Sequence, residues 1–183
     1  MMAKLYTSKL LLTDGADLQF YLKKHPRLYN LIANGELIIN YDELESLDIH
    51  YHNAGRYAIV VNTLHSSSPP KTEGHWAVLL IEINKHNRNC MFVDSLANNY
   101  KQHKDLAMKI NLFCNVHKLK LHLWQTRTQK NDSNNCGFHA IFFLFHFHKH
   151  GTKGMYRLQS MLQQYSLATR EYYVLKKAYK ICK

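Results

Sequence analysis

Asp132-Ser133-Asn134-Asn135-Cys136-Gly137-Phe138-His139-Ala140-Ile141-Phe142-Phe143-Leu144-Phe145 passes from short polar residues into an apolar run, with one cysteine at the junction. Such a boundary predicts a buried helix that starts at the cysteine, with the polar turn as its cap. The thiol then falls in the first helical turn, where unpaired N–H groups and the helix dipole favour an anion. A thiolate attacks carbonyls and a thiol hardly does, so Cys136 is the candidate nucleophile.

Upstream, Trp76 to Ile83 and Cys90 to Val93 read as apolar strands joined by the polar residues Asn84 to Asn89, a hairpin. A hairpin centred near Lys85 sets Asp94 opposite Trp76 and beside His75. Tyr57 to Val61 reads as a further buried strand, and His65 to Glu73, with its Ser-Ser-Ser-Pro-Pro centre, as a loop. Leu18, Tyr21 and Leu22 predict a helix capped by Thr13 or Asp14 and ended or interrupted by Pro26, and Asn34-Gly35 marks a turn.

Leu106, Ile110, Phe113 and Cys114 recur at helical steps, which predicts a helix from about Tyr100 to His117. Leu119 to Trp124 alternates as a half-buried strand. The helix from Cys136 is expected to stop near Gly151, and a basic, tyrosine-rich helical segment from Met155 to about Lys180 closes the chain. The order predicts one α+β domain over 1–183, with a mostly antiparallel central sheet packed against helices.

Peptide cleavage by cysteine needs a nucleophile, a base, a group that orients the base, and donors for the oxyanion. His75 is the candidate base and Asp94 the carboxylate that fixes its tautomer, with Asn98 and Asn99 as substitutes. Gln129, seven residues before Cys136, is the candidate oxyanion donor together with the Cys136 backbone N–H. Losing one such donor costs about 3 to 4 kcal/mol of transition-state stabilisation. The plain alternatives are a packed cysteine before an apolar helix, an acid that merely ends a strand, and a core tryptophan at Trp76.

His75-Trp76 at a strand start, Asp94 at the end of the next strand, and Gln129 followed by Asn131-Asp132-Ser133-Asn134-Asn135-Cys136-Gly137 resemble the adenovirus-type maturation proteases, the adenain family. The likeness runs from about Tyr57 to Leu144 and, more distantly, extends to the ubiquitin-like-protein proteases. The resemblance implies a sheet packed on helices, a Cys136-His75-Asp94 triad, and Gln129 in the oxyanion hole. It also implies a channel bordered by Trp76 that admits glycine-containing sites, and viral capsid or core precursors as substrates.

DNA is implied as an activating polyanion, and the enzyme is expected inside the host cell, in the nucleus or a cytoplasmic viral factory, and packaged in the virion. The chain departs from the family in two respects. Asp94 stands where adenovirus enzymes carry Glu, with a longer interval from His75. Lys118 stands near the cysteine through which adenovirus enzymes tether an activating peptide, and Cys114 is the nearest thiol.

A formal net charge of +11 in 183 residues predicts attraction to polyanions, with DNA as the expected partner of the basic surface. Cys90, Cys114, Cys136 and Cys182 show no CxxC pair and no secreted disulfide spacing, so a reducing compartment is expected. No apolar stretch approaches membrane-spanning length, and no signal sequence is evident, so an intracellular monomer without membrane partners is expected.

His146, His148 and His150 lack an accompanying carboxylate or cysteine at ligand spacing, so no metal is assigned to them. The chemistry itself requires no cofactor, with DNA or an activating peptide as the candidate activators. A protease for ubiquitin-like modifiers and a non-enzymatic DNA-binding virion protein are the rival readings.

Overall fold

The central strands are buried along almost their whole length, which requires cover on both faces of the sheet. The computed structural model describes residues 15–47, 54–69, 72, 74–97 and 99–183. Its five-stranded sheet has the order β1 (Ile38–Asn40), β2 (Gly55–Asn62), β3 (Trp76–Ile83), β4 (Arg88–Val93), β5 (Lys120–Leu123). The two inner pairings are antiparallel and the two outer ones parallel. The antiparallel ladders are also the longer, eight and six register pairs against three and four. The α+β class holds, and the sheet is mixed.

This topology gathers one set of strand ends. β1 and β2 finish at Asn40 and Asn62, β3 begins at Trp76 opposite Asn62, and the parallel pair β4 and β5 runs back to the same end. His75, Asp94 and the chain leaving β5 therefore emerge together, and the hairpin turn lies at the far end.

That turn is tighter and one half-step further along than a centre at Lys85. The Asn84 side chain accepts the N–H groups of His86 and Asn87, and Ile83 pairs with Arg88. Continuing the register Val78 with Val93 puts Asp94 across from Ala77 rather than Trp76. Because strand side chains alternate with period two, Asp94 then shares a face with His75.

The helices are α1 (Gly15–Lys23), α2 (Pro26–Leu31), α3 (Asn99–Gln102), α4 (Lys104–Val116), α5 (Cys136–Gln163) and α6 (Leu167–Cys182). α5 packs on β2, β3 and β4, and α6 packs on α5. On the other face Cys90 meets Cys114 of α4, and the Phe92 ring stands 5.9 Å from Tyr100 of α3. Pro26 opens α2, where a proline N–H is not needed. Thr13 and Asp14, expected as caps, lie outside the described residues.

Three expectations need correction. The helix from Tyr100 to His117 is two helices broken at His103. The helix from Cys136 does end its regular run at Gly151, whose φ 62 and ψ −167 are non-helical, but a second helical run follows at once to Gln163, so the closing segment from Met155 is two helices split at 164–166. The kink is held by Glu82, whose carboxylate accepts the Thr152 N–H at 2.9 Å and Arg56 Nε at 2.8 Å, while Arg56 donates to the His148 carbonyl at 2.7 Å. β1, followed by a 3-10 turn over Tyr41–Ser46, was not foreseen as a strand.

No helix among the described residues is long and apolar enough to cross a membrane.

Candidate active site

His75 precedes β3 and Asp94 follows β4, so two strand ends carry them to one spot. His75 Nε2 lies 2.7 Å from Asp94 Oδ1, and both side chains are buried, 14% and 3% exposed. Asp94 Oδ1 also accepts the Leu96 N–H at 2.9 Å, which fixes the carboxylate before it meets the ring. With Nε2 engaged, Nδ1 is the nitrogen available to Cys136, whose thiol is hydrogen-bonded to the His75 ring.

The electrostatics follow from this arrangement. Burial alone would lower the pKa of His75, yet hydrogen bonds to Asp94 and Cys136 and their negative charges raise it to about 9. Burial alone would raise the pKa of Cys136, and the hydrogen bond and charge of His75, with the Trp76 and Gly137 N–H groups, bring it below the ordinary thiol value. The two shifts run in opposite directions, each toward the charged form, which is the sense an imidazolium-thiolate pair requires.

Asn135 stands at the N-cap position of α5 but makes no side-chain cap. The expected capping role is therefore corrected: the Gly137 N–H of the first turn serves the Cys136 sulfur instead.

Gln129 is 3% exposed and sits within the loop between β5 and α5. The Ser95 hydroxyl donates to Gln129 Oε1 at 2.6 Å, and Gln129 Nε2 donates to the Ser133 carbonyl. A primary amide has two N–H groups, so one remains beyond the Ser133 bond. The Ser95 carbonyl also accepts the N–H groups of Thr128 at 2.8 Å and Gln129 at 3.0 Å.

His75, Trp76, Gln129, Asn134 and Cys136 line one cleft of about 730 Å³, with Ile38 to Asn40 of the edge strand along its side. Trp76 is 6% exposed, and its ring edge lies 3.6 Å from where a side chain on Gly15 would begin. The cleft thus brings together Cys136, His75, Gln129 and Trp76, with Asp94 behind the ring. Asn98, one substitute for Asp94, lies outside the described residues.

Several contributors were missed in the sequence. His139, one turn along α5, is buried with Nδ1 3.0 Å from the Thr128 hydroxyl, and its Nε2 has no hydrogen-bond partner among the described residues. Burial and the nearby charge of His75 hold its pKa down at about 3, so it stays neutral beside the triad. Glu171 of α6 accepts the Ser133 hydroxyl at 2.6 Å and the Lys130 N–H at 3.1 Å, holding the loop that carries Gln129 toward Cys136. Glu171 is the only acidic residue after Asp132, a signal that a lone carboxylate in a basic segment has a fixed task. No such signal marks Ser95.

The remaining candidates sit elsewhere. The rings of His146 and His150 on α5 lie with centroids 4.7 Å apart at a 46° tilt, and no cluster of metal-ligating side chains occurs among the described residues. Tyr173 and Tyr179 pack on Phe142 and Phe138, whereas Tyr172 is exposed under Lys176. All four cysteines are free thiols.

Fold and site together have the form of an enzyme of the cysteine protease and acetyltransferase type. The family model of the YopJ serine/threonine acetyltransferases matches residues 22–180, and the chain belongs to that family. This shows a relationship to the broad ubiquitin-like-protease type of cysteine fold, and the narrower adenovirus likeness rests on the motifs alone. Among solved structures, a crystal structure of a protease from ASFV, African swine fever virus, matches at 12% identity and a TM-score of 0.39, covering 77% of this chain. The match spans 65% of that protein's length. No curated protein matches the chain.

Proposed function

We propose that this chain is a cysteine endopeptidase acting at glycine-containing sites through Cys136, His75, Asp94 and Gln129. The observation that carries the reading is the line from Asp94 through His75 to the Cys136 thiol, at the floor of a cleft flanked by the edge strand β1. An edge strand offers backbone groups to an extended polypeptide, the usual way such a chain is held against a sheet. The Cys136 sulfur adds to the scissile carbonyl, and the resulting oxyanion takes the remaining N–H of Gln129 and the Cys136 N–H. The His75 imidazolium gives its proton to the departing amine, leaving a thioester. Water, deprotonated by His75, releases the acid and restores the thiolate.

Glycine preference follows from the indole of Trp76 at the cleft wall, supported by the motif likeness to the adenovirus enzymes. The same likeness supports capsid or core precursors as substrates, in the virion and in the infected cell. The basic exposed residues, including Lys101, Lys104, Lys176 and Lys180, support DNA as a partner that concentrates enzyme and substrate, an effect that fades steeply with salt.

A second reading is favoured by the family match over residues 22–180: transfer of an acetyl group to a serine or threonine hydroxyl. The same thioester serves, with an acetyl thioester as donor and a hydroxyl in place of water. The experiment offers the protein a fluorogenic peptide ending in glycine, a ubiquitin-like fluorogenic substrate, and labelled acetyl-CoA with a serine-containing acceptor. Release from the short peptide, lost in Cys136→Ala, supports the endopeptidase. Preference for the ubiquitin-like substrate selects a modifier protease, and label on the acceptor alone selects the transferase. An activity unchanged in Cys136→Ala overturns the role of Cys136, and a wild type inactive on all three substrates that still binds DNA leaves a DNA-binding protein.

A further inference from the structure

We infer that Ser95 is a positioning residue of the oxyanion site, anchoring the Gln129 amide through its oxygen so that the NH₂ end, whose choice is set by the Ser133 carbonyl, is held toward the reacting carbonyl. This rests on the proposed thioester chemistry at Cys136. An amide side chain has two ends of opposite polarity and nearly equal shape, so burial alone does not select its orientation. Only the NH₂ end stabilises an oxyanion; the oxygen end would repel it.

The Ser95 hydroxyl lies 2.6 Å from Gln129 Oε1, in a place where both residues are 2–3% exposed. A flipped amide could still bond that hydroxyl, which accepts as well as donates, but its oxygen would face the Ser133 carbonyl, two acceptors together; the carbonyl therefore selects the end and the Ser95 hydroxyl holds it in place. The Ser95 carbonyl meanwhile accepts the Thr128 and Gln129 N–H groups, so the backbone under the amide is pinned by the same residue. Ser95 directly follows Asp94, so one short turn sets both the carboxylate behind His75 and the amide beyond Cys136.

The test separates chemistry that develops an oxyanion from chemistry that does not. A peptide aldehyde ending in glycine accepts the Cys136 sulfur at its carbonyl carbon; the C=O electron pair moves to oxygen, which takes the imidazolium proton, and nothing leaves. Iodoacetamide alkylates the Cys136 sulfur through its methylene carbon, the S–C bond forming as C–I breaks with loss of iodide, and the step needs only the thiolate. Ser95→Ala is expected to weaken aldehyde affinity about 10- to 100-fold while the iodoacetamide rate stays within about twofold. Ser95→Thr, which keeps the hydroxyl, is expected to recover most of that loss, and Ser95→Ala added to Gln129→Ala to cause none further.

Equal losses toward both reagents, an unchanged aldehyde affinity, or additive losses in the double variant overturn the role of Ser95. A wild-type Cys136 that reacts with neither reagent, or a Gln129→Ala variant with full aldehyde affinity, overturns instead the reading on which it rests.

Discussion

The carboxylate of Glu171, on the last helix, accepts the hydroxyl of Ser133 at 2.6 Å, across the loop that leads into Cys136. The same oxygen takes the Lys130 N–H at 3.1 Å, and the second oxygen stands 3.8 Å from Lys130 Nζ. α6 is thus joined to the chemistry through a side chain that never reaches the cleft. Since the Ser133 carbonyl is one anchor of the Gln129 amide, the loop and the Gln129 side chain move together.

Glu171→Ala is therefore expected to destabilise the fold by about 1 to 3 kcal/mol, the range for losing hydrogen bonds to a buried charged acceptor. Turnover should fall further than stability alone explains, with kcat reduced more than KM. Thermal melts and steady-state kinetics on the same preparation check this. Wild-type kinetics in a folded variant of lowered melting temperature would show that the loop holds itself.

Asp94→Asn leaves the ring a neutral partner in place of a carboxylate and removes a main cause of the raised pKa of His75. Its acidic partner gone, the ring should lose its proton nearer the ordinary 6.5 than about 9. The expected outcome is a loss of about a thousandfold or more in kcat, by analogy with the acid of serine triads. The alkaline limb of the pH profile should move downward with it.

The same ring gives the folded state a signed pH dependence. Its folded pKa lies above its unfolded value, so its contribution to stability is complete below about pH 6.5 and is lost as pH rises through about 9. Denaturant midpoints across pH 6 to 10, compared between wild type and Asp94→Asn, should converge toward the alkaline end. Alkylation of Cys136 should reach half its limiting rate below the ordinary thiol value of 9.0, and His75→Ala should return it upward.

Gly151 is the joint of α5, at positive φ with an extended ψ that side chains rarely adopt. A methyl there would also press on Glu82 and within 2.7 Å of Arg56 Nη2. Gly151→Ala is expected to cost about 2 to 4 kcal/mol, strain and crowding combined, read as a fall in denaturant midpoint. Because the joint lies far along α5 from Cys136, alkylation of that thiol in the folded fraction should be unchanged.

The site was more legible than the frame around it. Cys136, His75 and Asp94 could be read as candidates because each sits at the boundary of an apolar element and strand ends must converge, whereas Gln129, in a polar loop, could be read only from its spacing to Cys136. Their exact register could not, since the Asn84 turn sets it through side-chain bonds that period-two alternation does not encode. β1 was missed because three residues carry no measurable alternation and acquire strand form only by pairing with β2.

Gly151 reads as a stop signal because local propensity ends a helix at glycine. Glu82 and Arg56, distant in sequence, capture the freed groups and let the helix resume. Ser95 and Glu171 bond across the fold to residues distant in sequence; nothing local sets Ser95 apart, and the isolation of Glu171 among basic residues does not say which loop it holds.

The Asn84–Asn87 turn stands at the end of the sheet away from the cleft, closed by its own asparagine. It is consequently a natural grafting point: a fluorescent reporter or affinity tag spliced there would report on this protein in a cell while the catalytic face stayed unencumbered.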